Sequence, residues 1–329
     1  MRKLTRALFT LLFTALIASG CSAGGDPVPV ATGLLYILDR ANAAVYVYDN
    51  VATLDGAQDP VRTLTGENTQ IENPTALTVD PRRDILYVAD STEGEVFAFI
   101  PGSEAEGDIE PRRTYTGIDR LISLYYDVDN DSLYGADLTD FSIRVWDDIS
   151  TTPNGNAPNR RIGLGYPPSA VFVDTQRDRL YVGDPGTSSV KAYDNASTLG
   201  VNNPPADATI EDDTQALVFV SSLTMNVPND FLFVGERFNP SVEIFNSPST
   251  LNGSVSVPTD RSLEGDATGL TLDMGQVLFV ENVLYVQQSR TQIGFWDSAN
   301  TVTGDTAPNR SLTVNPATLI VGFMIDLAH

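Results

Sequence analysis

The chain has 329 residues, 19% of them charged, and its 43 acidic and 20 basic side chains leave a formal net charge of −23. Such a length buries a large core, and such a charge repels nucleic acid and anionic lipid head groups, so neither is expected as a partner. A single cysteine, Cys21, and a single histidine, His329, rule out an internal disulfide and a Cys/His zinc site, and a Ser-His-Asp or Cys-His arrangement would have to recruit the last residue of the sequence.

The first six residues carry Arg2, Lys3 and Arg6. Ala7 to Ala18 is an apolar run broken only by two threonines, and small residues follow it. A basic start, a short apolar run and small residues describe a secretory signal peptide over 1–20. The run is too short to cross a bilayer as a mature helix. Ala18-Ser19-Gly20-Cys21 resembles a bacterial lipobox, with Ala18 where leucine is usual. The resemblance implies that Cys21 becomes the lipidated, palmitate-bearing first residue of the mature protein. In a Gram-negative host, Ser22 after the cysteine implies sorting to the outer membrane. Residues 21–32 are a tether rich in glycine and proline, and ten extended residues reach only ~33 Å.

From residue 33 onward one unit recurs. Leu35-Tyr36-Ile37-Leu38-Asp39 returns as Leu86-Tyr87-Val88-Ala89-Asp90, Leu133-Tyr134-Gly135-Ala136-Asp137, Leu180-Tyr181-Val182-Gly183-Asp184, Leu232-Phe233-Val234-Gly235-Glu236 and Leu284-Tyr285-Val286-Gln287-Gln288. A near-constant period of roughly 50 residues marks a repeat architecture. The second copy is the most regular. Thr75 to Asp80 reads as strand A, Ile85 to Asp90 as B, Glu95 to Ile100 as C and Arg112 to Gly117 as D, with turn residues between them.

Both alternating sets of strand B are apolar, so B is buried on both faces. Strand D interleaves polar residues, and Pro60, Pro111, Pro158, Pro258 and Pro308 precede it in most copies. Proline and charge are how a sheet edge avoids pairing with another chain. The unit is therefore a four-stranded antiparallel sheet, and six such sheets predict an all-β, six-bladed β-propeller over 33–329. The first copy starts at strand B, and the sequence closes on an A-type strand, Leu319 to Asp326. The C-terminal strand is thus expected to complete blade one. Strand A of blade five is expected near Ser221 to Asn226, and that of blade six near Thr268 to Asp273 or Gln276 to Val280.

Pro74-Thr75-Ala76-Leu77-Thr78-Val79-Asp80, with Leu86-Tyr87-Val88-Ala89-Asp90 and Val96-Phe97-Ala98-Phe99, resembles the NHL-type repeat of six-bladed propellers, which recurs in bacterial lipoproteins of unknown role. The resemblance spans residues 33 to 326. It implies a fold and no single activity, because propellers host unrelated functions. In calcium-dependent lactonases with this fold, acidic and amide residues of strand A hold the metal. Here the A strands offer Thr75, Thr78, Ser123, Ser169, Thr224, Thr271 and Thr318, which make a poor cage for a hard cation.

Three other groups invite a chemical reading. Asp39, Asp90, Asp137, Asp184 and Glu236 end strand B in five copies, and are expected to accept hydrogen bonds from their own turns rather than to form a cation-collecting ring. Asp127-Val128-Asp129-Asn130-Asp131 begins like an EF-hand loop, but Ser132 and Leu138 replace the glycine and the glutamate that such a loop needs, so a polar A–B turn is expected. Trp146 and Trp296, each followed by aspartate, would stack on a sugar or wedge between blades, and the wedge is expected.

The expectation is an envelope-anchored, monomeric lipoprotein, facing the periplasm or the exterior. Its propeller would bind a protein, peptide or glycan partner and touch the membrane only through its anchor. The sequence leans away from an enzyme: no catalytic residue, metal site or cofactor is assigned. The alternative is a metal-dependent, lactonase-like or other carboxylate-based hydrolase, which would bring in calcium.

Overall fold

A computed structural model describes residues 33–212 and 217–329. The signal segment, Cys21 and the tether lie outside the described residues. Six sheets form a ring, each with strands A to D in antiparallel order. Blade one pairs A (Ile320–Asp326) with B (Leu34–Asp39), C (Ala44–Tyr48) and D (Arg62–Leu64). The C-terminal strand does close the first sheet, with Tyr36 opposite Met324. Blades two and three run from Pro74–Asp80 and Leu121–Asp127 to Arg113–Tyr115 and Arg160–Gly163. Blade four runs from Val171–Asp174 to Ala208–Asp212, blade five from Val220–Asn226 to Arg261–Glu264, and blade six from Val277–Val280 to Arg310–Val314. Strand A of blade six is thus the second of the two stretches read from the sequence.

The Leu–aromatic pair of strand B explains the ring. Side chains alternate across a strand, and the core divides into six clusters, one at each blade junction. Leu86 and Val88 pack with blade one, beside Tyr36 and Val47, while Tyr87 and Ala89 pack with blade three, beside Tyr126 and Trp146. The same split holds throughout: the leucine faces the preceding blade and the aromatic ring the following one. At the closure, Tyr285 of blade six meets Leu35, Ile37 and Phe323 of blade one. A sheet buried on both faces needs apolar residues at successive positions, and that is what the motif supplies.

The outer edges are protected by more than proline and charge. A segment of each C–D loop lies along strand D of the preceding blade. Gly56–Gln58 pairs in parallel with Arg310–Val314, and Gly253–Val257 with Ala208–Asp212. Single bridges join Leu64 to Gly107, Gly163 to Asn202 and Leu263 to Gly304. Between blades two and three, Gly155 N–H donates to the Thr114 carbonyl at 2.7 Å. Every D edge is covered, which removes the template for edge-to-edge aggregation.

Arginine ties the junctions at the same radius. Arg113 donates to the Ser150 carbonyl (2.5 Å), Arg160 to those of Ala196 and Leu199 (3.1 and 2.7 Å), Arg261 to Ala299 and Val302, and Arg310 to Val51 and Leu54. Each reaches from strand D to the turn after strand C of the next blade. In blade four Ala208 holds that place, and Arg179 of strand B bonds Ser249 and Leu251 instead. Arg160, Arg179, Arg261 and Arg310 also stand over aromatic rings of their own blades, at 4.9 to 5.9 Å. A planar fork that bonds two carbonyls and stacks on a ring is a task for arginine, not lysine, and the sequence has only Lys3 and Lys191.

Candidate functional site

The acids that end strand B are consumed by backbone donors. Asp90 accepts from Glu72 and Asn73 N–H (2.8 Å each) and from Thr92 N–H (2.8 Å). Asp39 takes Thr318, Leu319, Ala41 and Asn42, and Glu236 takes Val218, Phe219 and Phe238. Asp39, Asp90, Asp137 and Glu236 thereby tie the loop entering strand A to the B–C turn of their own blade, while Asp184 accepts from Gly186 and Thr187 N–H of its B–C turn. All five are buried. Asp137 and Asp184 also meet a cation from strand C, Arg144 at 3.4 Å and Lys191 at 2.6 Å.

The EF-hand-like stretch is the A–B turn of blade three. Asp127 accepts from Asp129 and Asn130 N–H, and Asp131 accepts from Ser150 and the Tyr126 hydroxyl. The tryptophans are core: Trp146 and Trp296 are 1% exposed, and their indole N–H groups donate to Asn156 and Thr306 carbonyls. Neither presents a face to a sugar.

The cavity that remains is the central tunnel, with a volume of about 780 Å³. The A strands wall it. A bulge at the start of strand A recurs in blades one, two, three and five, and its extra residues, Val321, Thr75, Ile122 and Ser221, line the tunnel. Ser123, Thr224 and Thr75 spend their hydroxyls on backbone, while Ser169 Oγ is buried with no partner among the described residues. Ser123 Oγ accepts Val171 N–H at 3.3 Å and Thr224 Oγ1 accepts Phe279 N–H at 3.0 Å, each across a blade junction. Thr75 donates to the Ala89 carbonyl. Three of the seven are not strand A residues. Ser169, Thr271 and Thr318 sit in the loops before it, because blade four starts its A strand at Val171, blade six at Val277 and blade one at Ile320.

One mouth of the tunnel, where strand B ends and strand A begins, carries a feature that the sequence reading missed. Arg40, Arg120, Arg237 and Arg290 line it, with Asp273 as the one carboxylate of the described lining. Asp273 pairs with Arg290 at 3.2 Å. Arg40 Nε donates to the Pro74 carbonyl at 3.0 Å and Arg237 Nε to that of Leu272 at 3.5 Å, and the guanidinium of Arg120 makes no hydrogen bond or ion pair among the described residues. Burial first, and the neighbouring Arg120 second, push Arg40 down from the usual arginine range. A cue was present: Arg40 and Arg237 directly follow the acid that ends strand B, where other copies have Ser91, Leu138 and Pro185.

The same face exposes large apolar side chains. Val218 (44% exposed), Phe238 (62%), Leu272 (65%) and Phe141 (44%) all lie on D–A loops or B–C turns, and Phe219 packs on Phe238 with ring centroids 5.0 Å apart. At the opposite face, Asp84, Asp326 and His329 bring ligand atoms within 4.8 Å of one another, with His329 Nδ1 2.9 Å from Asp326. Those groups serve the closure: Asp84 also caps Ser103, and Asp326 caps Ala328 N–H.

No family model matches the sequence, and no curated protein sequence does either. Solved structures do match, 1139 chains in all, which marks a common architecture. One is a chain of the "Crystal structure of Nidogen/Laminin Complex", with a TM-score of 0.61 and 14% identity over 91% of this chain and 99% of that one. At that identity the likeness is one of fold: this chain is a six-bladed β-propeller.

Proposed function

We propose that this protein is an envelope lipoprotein, anchored through Cys21, whose NHL-type propeller binds a protein partner on the face where strand B ends. One observation carries the reading. Phe219, Phe238, Leu272 and Phe141 share that face with Arg40, Arg120 and Arg237, and aromatic residues with arginine are the composition of interface hot spots. Phe219 packs on Phe238, so the apolar surface there includes an aromatic pair and not only single scattered side chains. The similar chain taken from a nidogen/laminin complex gives the same direction, since a propeller serves there in a protein assembly. The hydrolase alternative requires carboxylates converging at a tunnel mouth, and no observation at this mouth favours it.

Two experiments test the reading. Phe238→Asp with Leu272→Asp should abolish a specific partner in pull-downs from envelope extract, while Val61→Asp, elsewhere on the ring, should leave capture intact. Equal capture by both variants refutes the assignment of the face. For the anchor, wild type should label with palmitate and sediment with membranes, and Cys21→Ser should do neither. A Cys21→Ser protein that still labels and sediments refutes it.

A further inference from the structure

We propose that the tunnel is a binding site for an acyl carboxylate, its anionic head held at the arginine mouth and its apolar body lying along the A strands. The ligand would sit inside the tunnel and the partner on the face around its mouth, with Arg40, Arg120 and Arg237 shared by the two. It starts from charge. In a chain of net charge −23, the described lining of this cavity holds four guanidiniums and one carboxylate, and that carboxylate belongs to Arg290. Six arginines elsewhere, Arg82, Arg83, Arg144, Arg160, Arg161 and Arg177, each sit on an aspartate. Arg40, Arg120 and Arg237 have no acidic partner among the described residues; Arg112, Arg113 and Arg261 lack one too, but only the first three are gathered at one cavity.

Holding Arg40 against Arg120 in a partly buried mouth costs electrostatic energy, which an anion placed between them would relieve. A guanidinium fork matches a carboxylate in geometry as well as charge. Behind the mouth the wall changes character. Ile122, Phe172, Leu278, Val321 and Met324 line the tunnel and remain only partly buried, which in a wall position leaves apolar surface facing the cavity. Of the hydroxyls in the wall, those of Ser123, Thr224 and Ser222 are tied to backbone across the junctions, and Ser169 Oγ is buried with no partner among the described residues. A volume of about 780 Å³ suits a ligand of ordinary small-molecule size. Acidic loop residues outside the mouth, Glu72, Glu93 and Asp119, are exposed and disfavour a polyanion, so the site suits a single negative head on an apolar body.

The test is calorimetric titration of the full chain carrying Cys21→Ser, so that no detergent is present. Decanoate is the probe; acetate offers the head alone, and decyltrimethylammonium offers the body with the opposite charge. Decanoate should bind at least about ten-fold more tightly than either, and weaken as salt is added. Arg120→Gln with Arg237→Gln, both exposed positions that folding tolerates, should weaken decanoate about ten-fold or more. Ile122→Asp should abolish binding from the wall side. Decanoate binding no tighter than either control, or unchanged in the arginine variant, overturns the proposal. Partner capture by the Phe238 and Leu272 face reads out separately, so failure of one proposal leaves the other standing.

Discussion

Replacing Arg160 by methionine should lower the melting temperature by several degrees. The reasoning starts from what the guanidinium touches. It meets Asp147 through two 2.6 Å contacts, donates to the Ala196 and Leu199 carbonyls of the next blade, and lies 5.7 Å from the centroid of the Tyr134 ring. Its side chain is only 14% exposed. Tyr134 also bonds the Ala196 carbonyl, so that acceptor survives the substitution; the Leu199 carbonyl loses its side-chain donor. A hydrogen bond from a charged donor is worth about 1.5–3 kcal/mol, the ring contact about 0.5–1 kcal/mol, and the partly exposed ion pair about 1 kcal/mol. The sum is roughly 3 kcal/mol. For a chain of this size each kcal/mol moves Tm by about 2 °C, so calorimetry should show a fall of roughly 6 °C. Arg160→Lys should recover part of it, because an ammonium keeps the charge and loses the fork. Arg112→Met, at an exposed position, should stay within about 0.5 kcal/mol of wild type. If Arg160→Met melts with Arg112→Met, the junction arginines contribute nothing and the account of the arginine-rich, lysine-poor composition is wrong.

Three further outcomes are expected. Tyr87 and Tyr134 hold the same motif position, yet the Tyr87 hydroxyl is buried with no partner and the Tyr134 hydroxyl donates to the Ala196 carbonyl at 3.1 Å; urea unfolding should therefore find Tyr87→Phe neutral or stabilising and Tyr134→Phe destabilising by about 1 kcal/mol. Burial raises the Glu243 carboxyl above its usual range, against the opposing hydrogen bonds from Ser241 and Ser262. A folded pKa above the unfolded one means that stability is fullest below the unfolded value, near 4.3, and is lost as pH rises through the folded value, so Glu243→Gln should stabilise by on the order of 1 kcal/mol at pH 8 and by little at pH 4. Truncation before Ile320 removes the A strand of blade one, uncovers Leu35 and Tyr36, and should abolish the cooperative transition in near-ultraviolet circular dichroism.

The blade count and the burial of strand B were legible because each is stated six times, and the closure because the first copy lacks an A strand and an A-type strand follows the last copy. Leu86-Tyr87 means little alone; six copies at a steady spacing fix the period, and the alternation then assigns both faces. Strand A of blade six was ambiguous for a physical reason. In that blade the motif position for the acid is occupied by Gln288, just after the B strand, so the entering loop is held the other way round: the Gln288 amide donates to the Thr268 carbonyl, and Thr271 bonds back to the Gln288 carbonyl. With that loop folded on itself, Thr268 to Asp273 is unavailable as a strand. The arginine mouth was illegible because its members come from different places in the repeat. Arg40 and Arg237 follow strand B, Arg120 precedes strand A, and Arg290 lies one residue further along its B–C turn. Only the ring brings them to one rim.

Net charge was the least transferable of the sequence observations, and the structure shows why. A chain at −23 ought to repel anions. Its acids, however, are not free charges spread evenly. Those ending strand B are buried against backbone N–H groups, those ending strand A cap their own turns as Asp80 does for Arg82 and Arg83, and those in the A–B turns cap a residue of the next turn, as Asp84 does for Ser103. A carboxylate facing two or three N–H dipoles projects a weakened field beyond its turn. The tunnel mouth, ringed by such satisfied acids and lined by arginines that lack acidic partners, can be locally positive in an acidic protein. The repeats that build the ring thus spend most of the negative charge on structure, and the positions that depart from the repeat set the potential at its centre.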